Sequence, residues 1–523
     1  MQQSQLGLYA VACGLLFLLS KVIFDTFRSP LRHIPGPLAT RFTRLWYLLR
    51  VKNGQFHRDN LELHRKYGKV VRYAPGRYSI SDPNAIKPIY GFGQGFNKSD
   101  WYAAFSPGRQ RSLFTVQDNK VHAGSRRKFQ STYSMSSMLS YEAFTDKCTD
   151  IFRQRLMEHA QAGKSIDMAW WFSCYATDTV AMISSSKRLG DLDAGEDVGA
   201  LTRSLHGALA YAALVGIYTE WHLPIMDTLA WLKNLGLSQG TPRMYIADFI
   251  AKAIGERRKL RGKGEKSDAE HAQDQDEDQS APKDMLDRFL DANDRDPEHF
   301  TNGDVILGLS GNVVAGSDTT SATLTALLYH LLKNPNTLAK LRIEIDEGIP
   351  SGKLSSPVTF KQAQELPYLQ AVIQETLRVH PAVGLPLERV VPAGGTQLCG
   401  HYFPEGSVVG VNAWVLHYDT DVYGSDAAEF RPERWLESGK EDLARMHHSW
   451  LPFGLGSRTC LGKNISMLEM TKLVPELVRH FDFELTGGEW EVRNTKSTGG
   501  HYQAARLAGS PVEPKDVPGP VSM

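Results

Sequence analysis

The stretch that decides the fold is Phe453–Gly462, which reads FGLGSRTCLG and places one cysteine behind two closely spaced glycines. Gly454 and Gly456 permit a tight turn with positive φ and a close approach of the backbone to a flat partner. The apolar stretch Ile465–Met470 then predicts a helix, so that Cys460 stands just before a helix N-terminus, where a thiolate is stabilised. A metal ion would deprotonate such a thiol outright. The pattern therefore predicts a metal-binding thiolate.

Two other kinds of site share some features of this stretch. A buried structural cysteine beside a glycine turn is the simpler one, but it does not require the pattern FGxGxRxCxG at six fixed positions. A phosphate-binding loop is excluded because no Gly-Lys-Ser/Thr follows. Wide spacing and the lack of a CxxC pair also argue against a disulfide framework or a zinc cluster. The cysteines concerned are Cys13, Cys148, Cys174, Cys399 and Cys460.

With these residues the chain resembles the cytochrome P450 superfamily, whose signature it carries from Phe453 to Gly462. The resemblance implies that Cys460 is the axial ligand of haem b, a haem-thiolate arrangement. It also implies that Phe453 and Gly454 contact the haem and that Arg458 binds a propionate. The implied fold is mainly α with a minor β-sheet (α+β), in which haem lies between the helix after Cys460 and a long distal helix.

The second motif is AGSDTT at residues 315–320. Helical spacing puts Ala315 and Thr319 on one face, with side chains small enough for a planar cofactor to lie against. Thr319 can donate its hydroxyl to the Ala315 carbonyl one turn back, which loosens the helix locally. A slightly frustrated core helix is the simpler interpretation. The match to the family's AGxDTT implies that Ala315 and Gly316 contact the haem and that Asp318 and Thr319 relay protons.

A third pattern consists of opposite charges at i and i+3, Glu375 and Arg378, followed later by Arg434. On most helices such a pair is an ordinary surface interaction. The family combines its ExxR motif with a downstream arginine, which here implies a buried Glu375–Arg378–Arg434 cluster. Since burial of these charges costs desolvation energy, the expected role of the cluster is to fix the thiolate loop.

Haem propionates need cations or N–H donors, and four residues match the family's positions for them. His122 and Arg126 share one helical face where the family usually has WxxxR, Arg389 follows the turn at Pro386, and Arg458 precedes the cysteine. For each of these side chains the alternative is a solvated surface charge. The change from Trp to His keeps a donor but leaves the exact contact of His122 open.

The N-terminal residues Leu6–Phe24 form an apolar run of about the ~20 residues needed to cross a bilayer. Basic residues follow this run and none precedes it, which predicts a lumenal N-terminus and a cytosolic body. A cleaved signal peptide is the alternative, but its basic region and small-residue cleavage site are missing. We expect an anchor over 1–27, a Pro-rich hinge over 28–37 and a catalytic domain over 38–523, in a single-pass protein of the endoplasmic reticulum membrane.

The body of the 523-residue chain shows mainly helical patterning, and its net charge of +1 gives no indication of nucleic-acid binding. A predicted cap at Thr301 opens a long helix that ends near Lys333–Pro335. Another helix is expected between Pro367 and His380. The charge-dense segment Gly262–Lys283 predicts a solvated loop. Short β-like stretches lie at Val70–Tyr73, Tyr78–Ser81 and Glu388–Val415.

The function that the resemblance implies is insertion of one oxygen atom from O2 into a lipophilic substrate, with NADPH electrons from a cytochrome P450 reductase or cytochrome b5. Arg127, Lys128 and Lys463 could form the basic surface that an acidic reductase binds. Asn97–Trp101 and Val121–Ser136 resemble the fungal pisatin demethylase-like group, which implies secondary-metabolite biosynthesis. The alternatives are a haem-thiolate isomerase or dehydratase, which would typically lack the acid–threonine pair, and a haem-binding sensor without turnover.

Overall fold

The structure is a computed structural model that describes residues 26–106, 108–235, 242–268 and 283–486, three later strands, and residues 13, 20, 21 and 24. The predicted anchor thus lies almost entirely outside the described residues, and it stays a prediction. The segment Gly262–Lys283 is not a loop at its start, because a helix continues to Asp268. Lysine and glutamate are good helix formers, which explains this extension, and residues 269–282 lie outside the described part.

Helices make up most of the described chain, as the patterning predicts. Those of the first half are α1 Leu45–Lys52, α2 Phe56–Tyr67, α3 Ile86–Tyr90, α4 Asn119–Phe129, α5 Met135–Gln161, α6 Met168–Ser185, α7 Asp191–Ala194, α8 Leu201–Val215, α9 His222–Asn234 and α10 Pro242–Asp268. Those of the second half are α11 Met285–Arg295, α12 Asn302–Lys333, α13 Pro335–Gly348, α14 Phe360–Gln364, α15 Pro367–Val379, α16 Ala413–Leu416, α17 Thr420–Tyr423, α18 Arg434–Glu437, α19 Lys440–Ser449 and α20 Lys463–His480.

The strands are short and form small sheets. They are β1 Val70–Ala74, β2 Arg77–Ile80, β3 Asn97–Lys98, β4 Ile166–Asp167, β5 Arg389–Val390, β6 Thr396–Leu398, β7 His401–Phe403, β8 Val408–Val411, β9 Phe481–Thr486, β10 Val492–Lys496, β11 Gly499–Tyr502 and β12 Arg506–Pro511. The largest sheet has the order β1-β2-β8-β5-β3, and only β2 and β8 are parallel within it. This sheet places β3 and β5 side by side, and both carry basic residues of the site.

The long helix α12 is the centre of the helical part. The Thr301 hydroxyl accepts from the Asp304 N–H and the Asp304 carboxylate accepts from the Thr301 N–H, a capping box that confirms the predicted start. The helix runs to Lys333, before Pro335, as expected. It packs along α6, and the Thr320 hydroxyl donates to that of Ser466 on α20 (3.2 Å). α12 and the helix that follows Cys460 are therefore in contact.

Among the described residues, one helical stretch, Val198–Asn234, is long and apolar enough to cross a membrane by length and composition. It is bent, because Gly199 and Tyr218 have non-helical dihedral angles. Of its apolar window, 44% is buried inside the protein. The Trp101 indole donates to the Ala213 carbonyl (3.3 Å), so this stretch packs on the body.

Candidate active site

The loop that carries Cys460 connects α19 to α20 and is closed by a backbone hydrogen bond from the Cys460 N–H to the Phe453 carbonyl (2.8 Å). Gly454 and Gly456 have φ angles of 67° and 63°, so the tight turn expected from the two glycines is present. A Cβ at position 456 would lie 1.9 Å from the Tyr90 carbonyl oxygen. Only glycine fits there without moving the backbone.

The Cys460 thiol lies deep among protein atoms, although its side chain retains exposed surface. Burial raises the pKa of this thiol, whereas the backbone N–H groups of Gly462 and Lys463 and the charges of Arg126 and Lys463 lower it. A bound metal ion would add the strongest stabilisation of the thiolate. The sulfur is thus surrounded by groups that suit a metal-bound thiolate.

Arg126 approaches the loop from α4, and its guanidinium donates to the Thr459 carbonyl (2.7 Å). Burial lowers the pKa of Arg126 and the neighbouring Cys460 raises it. The helix is capped by the Asp118 carboxylate, which accepts from the N–H groups of Lys120 and Val121. The cap fixes the start of α4 and with it the position of a cation beside the sulfur.

Five basic side chains meet next to the loop, and we call them the basic cluster: Lys98, His122, Arg126, Arg389 and Arg458. Burial, followed by the charges of the other four, lowers the pKa of His122 to about 3. Burial and the arginines at 389 and 458 hold the pKa of Lys98 well below its usual value. Within the described part of the chain, none of the five forms a salt bridge with an acid, and Nδ1 of His122 is buried without a hydrogen-bond partner. Basic side chains without acidic partners, beside an unpartnered histidine nitrogen, indicate an anion-binding site.

The acid that precedes Arg389 in the sequence does not compensate the basic cluster. The Glu388 carboxylate accepts hydrogen bonds from the Tyr73 hydroxyl (2.7 Å) and the Ser99 hydroxyl (2.5 Å), and it pairs with Arg77. Its charge is therefore neutralised away from the cluster. The same contacts fix the ends of β3 and β5, from which Lys98 and Arg389 extend.

Arg458 holds the chain that leads into α4. Its guanidinium donates to the carbonyls of Val116 (2.7 Å) and Gln117 (2.6 Å) and to the Asn119 side-chain oxygen (2.9 Å). All of these acceptors are neutral, so none of them offsets the positive charge of Arg458. Burial and then the nearby Arg389 lower the pKa of Arg458 to about 10.

The structure brings Glu375, Arg378 and Arg434 into one fully buried cluster, which we call the charge scaffold. Arg378 donates to both Glu375 oxygens (2.8 and 2.7 Å), and Arg434 donates to one of them (2.9 Å). The Trp435 indole and the Arg431 N–H complete the shell of the carboxylate. Full pairing is what allows these charges to be buried.

The second motif lies in the middle of α12, with one face open. Gly311 and Ala315 are exposed on that face, and the Thr319 hydroxyl donates to the Ala315 carbonyl (2.8 Å) as expected. Gly316, for which the resemblance implies a haem contact, also has a packing role. A Cβ at Gly316 would lie 2.7 Å from the Val180 side chain, so this glycine allows α12 to pack closely on α6.

Asp318 is buried, and the two oxygens of its carboxylate have different surroundings. One oxygen lies 2.9 Å from Nε2 of His206, a residue of α8. The other oxygen is buried without a hydrogen-bond partner among the described residues. An unsatisfied carboxylate oxygen inside a protein is costly, and in an enzyme it is typical of a site where a water or a proton is held.

Comparison with known proteins identifies this arrangement. The family model described as Cytochrome P450 matches residues 35–502. The chain belongs to the cytochrome P450 family. It is 36% identical over 478 residues to a cytochrome P450 monooxygenase from Aspergillus terreus, which covers 88% of this chain and 92% of the relative. It is 34% identical over 475 residues to a pisatin demethylase from Fusarium vanettenii, covering 90% and 89%. A monooxygenase from Emericella nidulans is 36% identical over 486 residues, covering 92% and 94%.

The chain is thus a cytochrome P450 monooxygenase with a haem-thiolate cofactor, and the expected likeness to pisatin demethylase is confirmed. The described residues fit a haem-thiolate group on three counts. Cys460 offers a sulfur with two N–H donors, the basic cluster suits two carboxylates, and α12 presents a face of small residues. The unpartnered Nδ1 of His122 is a further donor or acceptor for a bound group. A redox partner, O2 and a lipophilic substrate follow from this family.

Two residues of the P450 site were missed by sequence reasoning. Lys98 stands in the segment compared with pisatin demethylase, but only the β3–β5 pairing brings it to Arg389. Its ammonium group donates to the Phe114 carbonyl (2.6 Å). His206 lies 112 positions from Asp318 in the chain, and its sequence surroundings carry no motif. No local signal pointed to either residue.

Proposed function

We propose that this P450 monooxygenase binds haem b through the Cys460 thiolate and inserts one oxygen atom from O2 into a lipophilic organic substrate. The observation that carries the proposal is a sulfur with two backbone N–H donors beside a basic cluster without acidic partners. Haem b would supply an iron for the sulfur and two propionates for the basic cluster. A thiolate ligand favours O–O cleavage by such an iron.

The site residues divide into three groups by what they contact. His122, Arg126, Arg389 and Arg458, with Lys98 added, bind the propionates through charge-assisted hydrogen bonds. Phe453 and Gly454 shape the loop beside the porphyrin, and Ala315 leaves room on the other side. The charge scaffold of Glu375, Arg378 and Arg434 holds the loop in place from behind. Gly316 supports the site indirectly through its packing on α6.

Protons are supplied from α12. Asp318 offers a buried carboxylate oxygen without a partner, and Thr319 offers a hydroxyl that already donates to a carbonyl one turn back. These two groups hold and pass the two protons that the overall reaction consumes, RH + O2 + 2 e⁻ + 2 H⁺ → ROH + H2O. The retained acid–threonine pair supports oxygen activation over an isomerase or dehydratase.

Electrons come from NADPH through a cytochrome P450 reductase, with cytochrome b5 as a second donor. Arg127 and Lys463 are exposed on the Cys460 side and suit an acidic partner. Lys128 does not add to this surface as expected, because its ammonium group pairs with Asp304 (2.9 Å). A charge already paired contributes less to long-range attraction.

The predicted N-terminal anchor indicates where in the cell the protein is located. We propose an anchor over 1–27 and a Pro-rich hinge over 28–37, which leave the catalytic domain, 38–523, on the cytosolic side of the endoplasmic reticulum membrane. The reductase and lipophilic substrates share that membrane.

The substrate class is a lipophilic product of fungal secondary metabolism. Four aromatic rings near β3 each contact two of the others: Trp101, Tyr102, Phe105 and Phe114. Phe114 is 47% exposed, which makes its ring available to a ligand. Curated relatives of this chain include a pisatin demethylase, which supports a small lipophilic metabolite such as a toxin, a terpenoid or an alkaloid.

The ligand assignment is tested with Cys460→Ser and the matched control Cys399→Ser, expressed and reconstituted with haem. The wild-type protein and the control are expected to give the far red-shifted Soret band of a thiolate-ligated ferrous CO complex. Cys460→Ser is expected to lose this band completely. An unchanged band in Cys460→Ser would refute the assignment. Product analysis with reductase and a panel of lipophilic metabolites then identifies the substrate.

A further inference from the structure

His417 stands between the charge scaffold and the Cys460 loop and is fully buried. It is the residue at the end of α16, and its Nδ1 lies 2.9 Å from the Arg378 carbonyl oxygen. The Leu451 backbone N–H donates to its Nε2 (2.9 Å). The Arg378 guanidinium in turn donates to the His417 carbonyl (2.7 Å). This residue therefore bonds to the scaffold on one side and to the start of the loop on the other.

These partners fix the protonation state of the His417 ring. A backbone N–H can only donate, so Nε2 carries a lone pair, and a carbonyl can only accept, so Nδ1 carries the proton. Burial lowers the pKa of His417 to about 3, so the ring is neutral over the physiological pH range. The ring acts as a donor at one nitrogen and as an acceptor at the other.

From Leu451 the hydrogen bonding continues toward the sulfur. The Gly454 N–H donates to the Leu451 carbonyl (3.0 Å), and the Cys460 N–H donates to the Phe453 carbonyl (2.8 Å). One route from the scaffold to the cysteine thus passes through the His417 imidazole and then through the loop backbone. A displacement of Leu451 would be transmitted directly into the turn that presents Cys460.

Burial alone does not explain this arrangement. His57 is also buried and neutral, but neither of its ring nitrogens has a hydrogen-bond partner among the described residues. That is the behaviour of a packing residue. We propose that His417 is a positioning residue, which holds the Leu451 end of the loop against the scaffold and thereby keeps the Cys460 sulfur directed at the haem iron. The proposal rests on Cys460 being the ligand.

Three substitutions distinguish the contributions of the two hydrogen bonds that the His417 ring makes, one to Arg378 and one with Leu451. His417→Gln can keep the acceptor for Leu451, His417→Asn can keep the donor to Arg378 but is too short to reach Leu451, and His417→Leu removes both. The measurement is the rate at which the haem-bound ferrous CO complex loses its far red-shifted Soret band at a fixed elevated temperature. Circular dichroism at the same temperature follows global unfolding, and His57→Gln serves as the buried-histidine control.

We expect the Asn and Leu variants to lose the band ~tenfold faster than wild type, as for loss of one buried hydrogen bond, while helical structure persists. The Gln variant and the His57→Gln control are expected to remain close to wild type. Loss of the band at the wild-type rate in His417→Asn and His417→Leu would overturn the proposal. Equal acceleration in Gln and Asn would also overturn it, because the Leu451 bond would then be irrelevant. A wild-type protein without the band would instead overturn the ligand assignment itself.

Discussion

The two sides of the site differ in how completely their polar groups are paired. On the Cys460 side, both oxygens of the Glu375 carboxylate accept hydrogen bonds, from Arg378, Arg434 and Trp435. On the α12 side, Asp318 keeps one buried oxygen without a partner among the described residues. Full pairing gives a rigid support, whereas an unpaired group remains available for proton transfer. We propose that the Cys460 side fixes the metal ligand and that the α12 side transfers protons.

The largest effect is expected from breaking the rigid side at its centre. Glu375→Ala leaves Arg378 buried without a counter-charge and leaves Arg434 with Asp426 alone (3.1 Å), which costs about 3–5 kcal/mol of unfolding free energy. We expect no folded haem-bound protein, measured as the yield of haem-containing monomer and by urea unfolding. Glu441→Ala, at an exposed position, is the control. Normal yield and stability of Glu375→Ala would show that the scaffold is dispensable.

Glu469 on α20 is an exception to the full pairing on the rigid side. It is fully buried, both of its oxygens lack a partner among the described residues, and burial raises its pKa well above the usual value. Since the folded state binds this proton more tightly than the unfolded state, its contribution to stability is full below the unfolded pKa and is lost as pH rises toward the folded pKa. The loss amounts to about 1.4 kcal/mol per pH unit.

Glu469→Gln removes this pH dependence while keeping the shape of the side chain. We therefore expect the variant to be more stable than wild type, by a margin that grows between pH 5.5 and pH 7.5. Urea unfolding of the haem-bound proteins at several pH values measures this margin. A margin that does not change with pH would mean that Glu469 is ionised in the folded protein.

On the α12 side, Thr319→Ala removes the hydroxyl without disturbing the packing of the helix. We expect intact haem binding but on the order of a tenfold rise in peroxide released per NADPH consumed. The control is Thr325→Ala, whose hydroxyl makes the same bond to a carbonyl one turn back on the same helix. Tight coupling in Thr319→Ala, measured with reductase and an identified substrate, would count against the proton role.

The smallest effect is expected at His206, which holds one oxygen of Asp318. His206→Gln can reach the same oxygen and His206→Asn cannot, so only the Asn variant should raise peroxide release, by roughly two- to threefold, the worth of one partly exposed hydrogen bond. His299→Asn, in an exposed His–Asp pair, is the control. Identical coupling in both His206 variants would show that this contact does not position the carboxylate.

Local signals were enough to predict much of the fold. The cap at Thr301, the end of α12 before Pro335 and the limits of α15 follow from residues that are neighbours in the chain. The stretch Glu388–Val415 was only partly predicted, because its end turns into α16 at Ala413. There the Asn412 side chain accepts a hydrogen bond from the Trp414 N–H and caps the start of α16. The β-branched and aromatic residues of this stretch do not predict a helix at that point.

The site was predictable where it follows a motif and not where it depends on distant packing. Cys460, Asp318 and Thr319 lie within motifs, whereas Lys98 and His206 reach the site only through tertiary contacts. Gly316 belongs to a motif, but its packing against α6 depends on a helix that is distant in the chain, and the local pattern does not reveal that contact.

The central claim is a bond between iron and the sulfur of Cys460. Resonance Raman spectroscopy of the purified ferric protein, prepared with natural and with ³⁴S-labelled cysteine, measures that bond directly. An iron–ligand stretching band that moves to lower frequency with the heavier sulfur is the predicted result. A band that does not move, or an iron–histidine stretch in its place, would contradict the account.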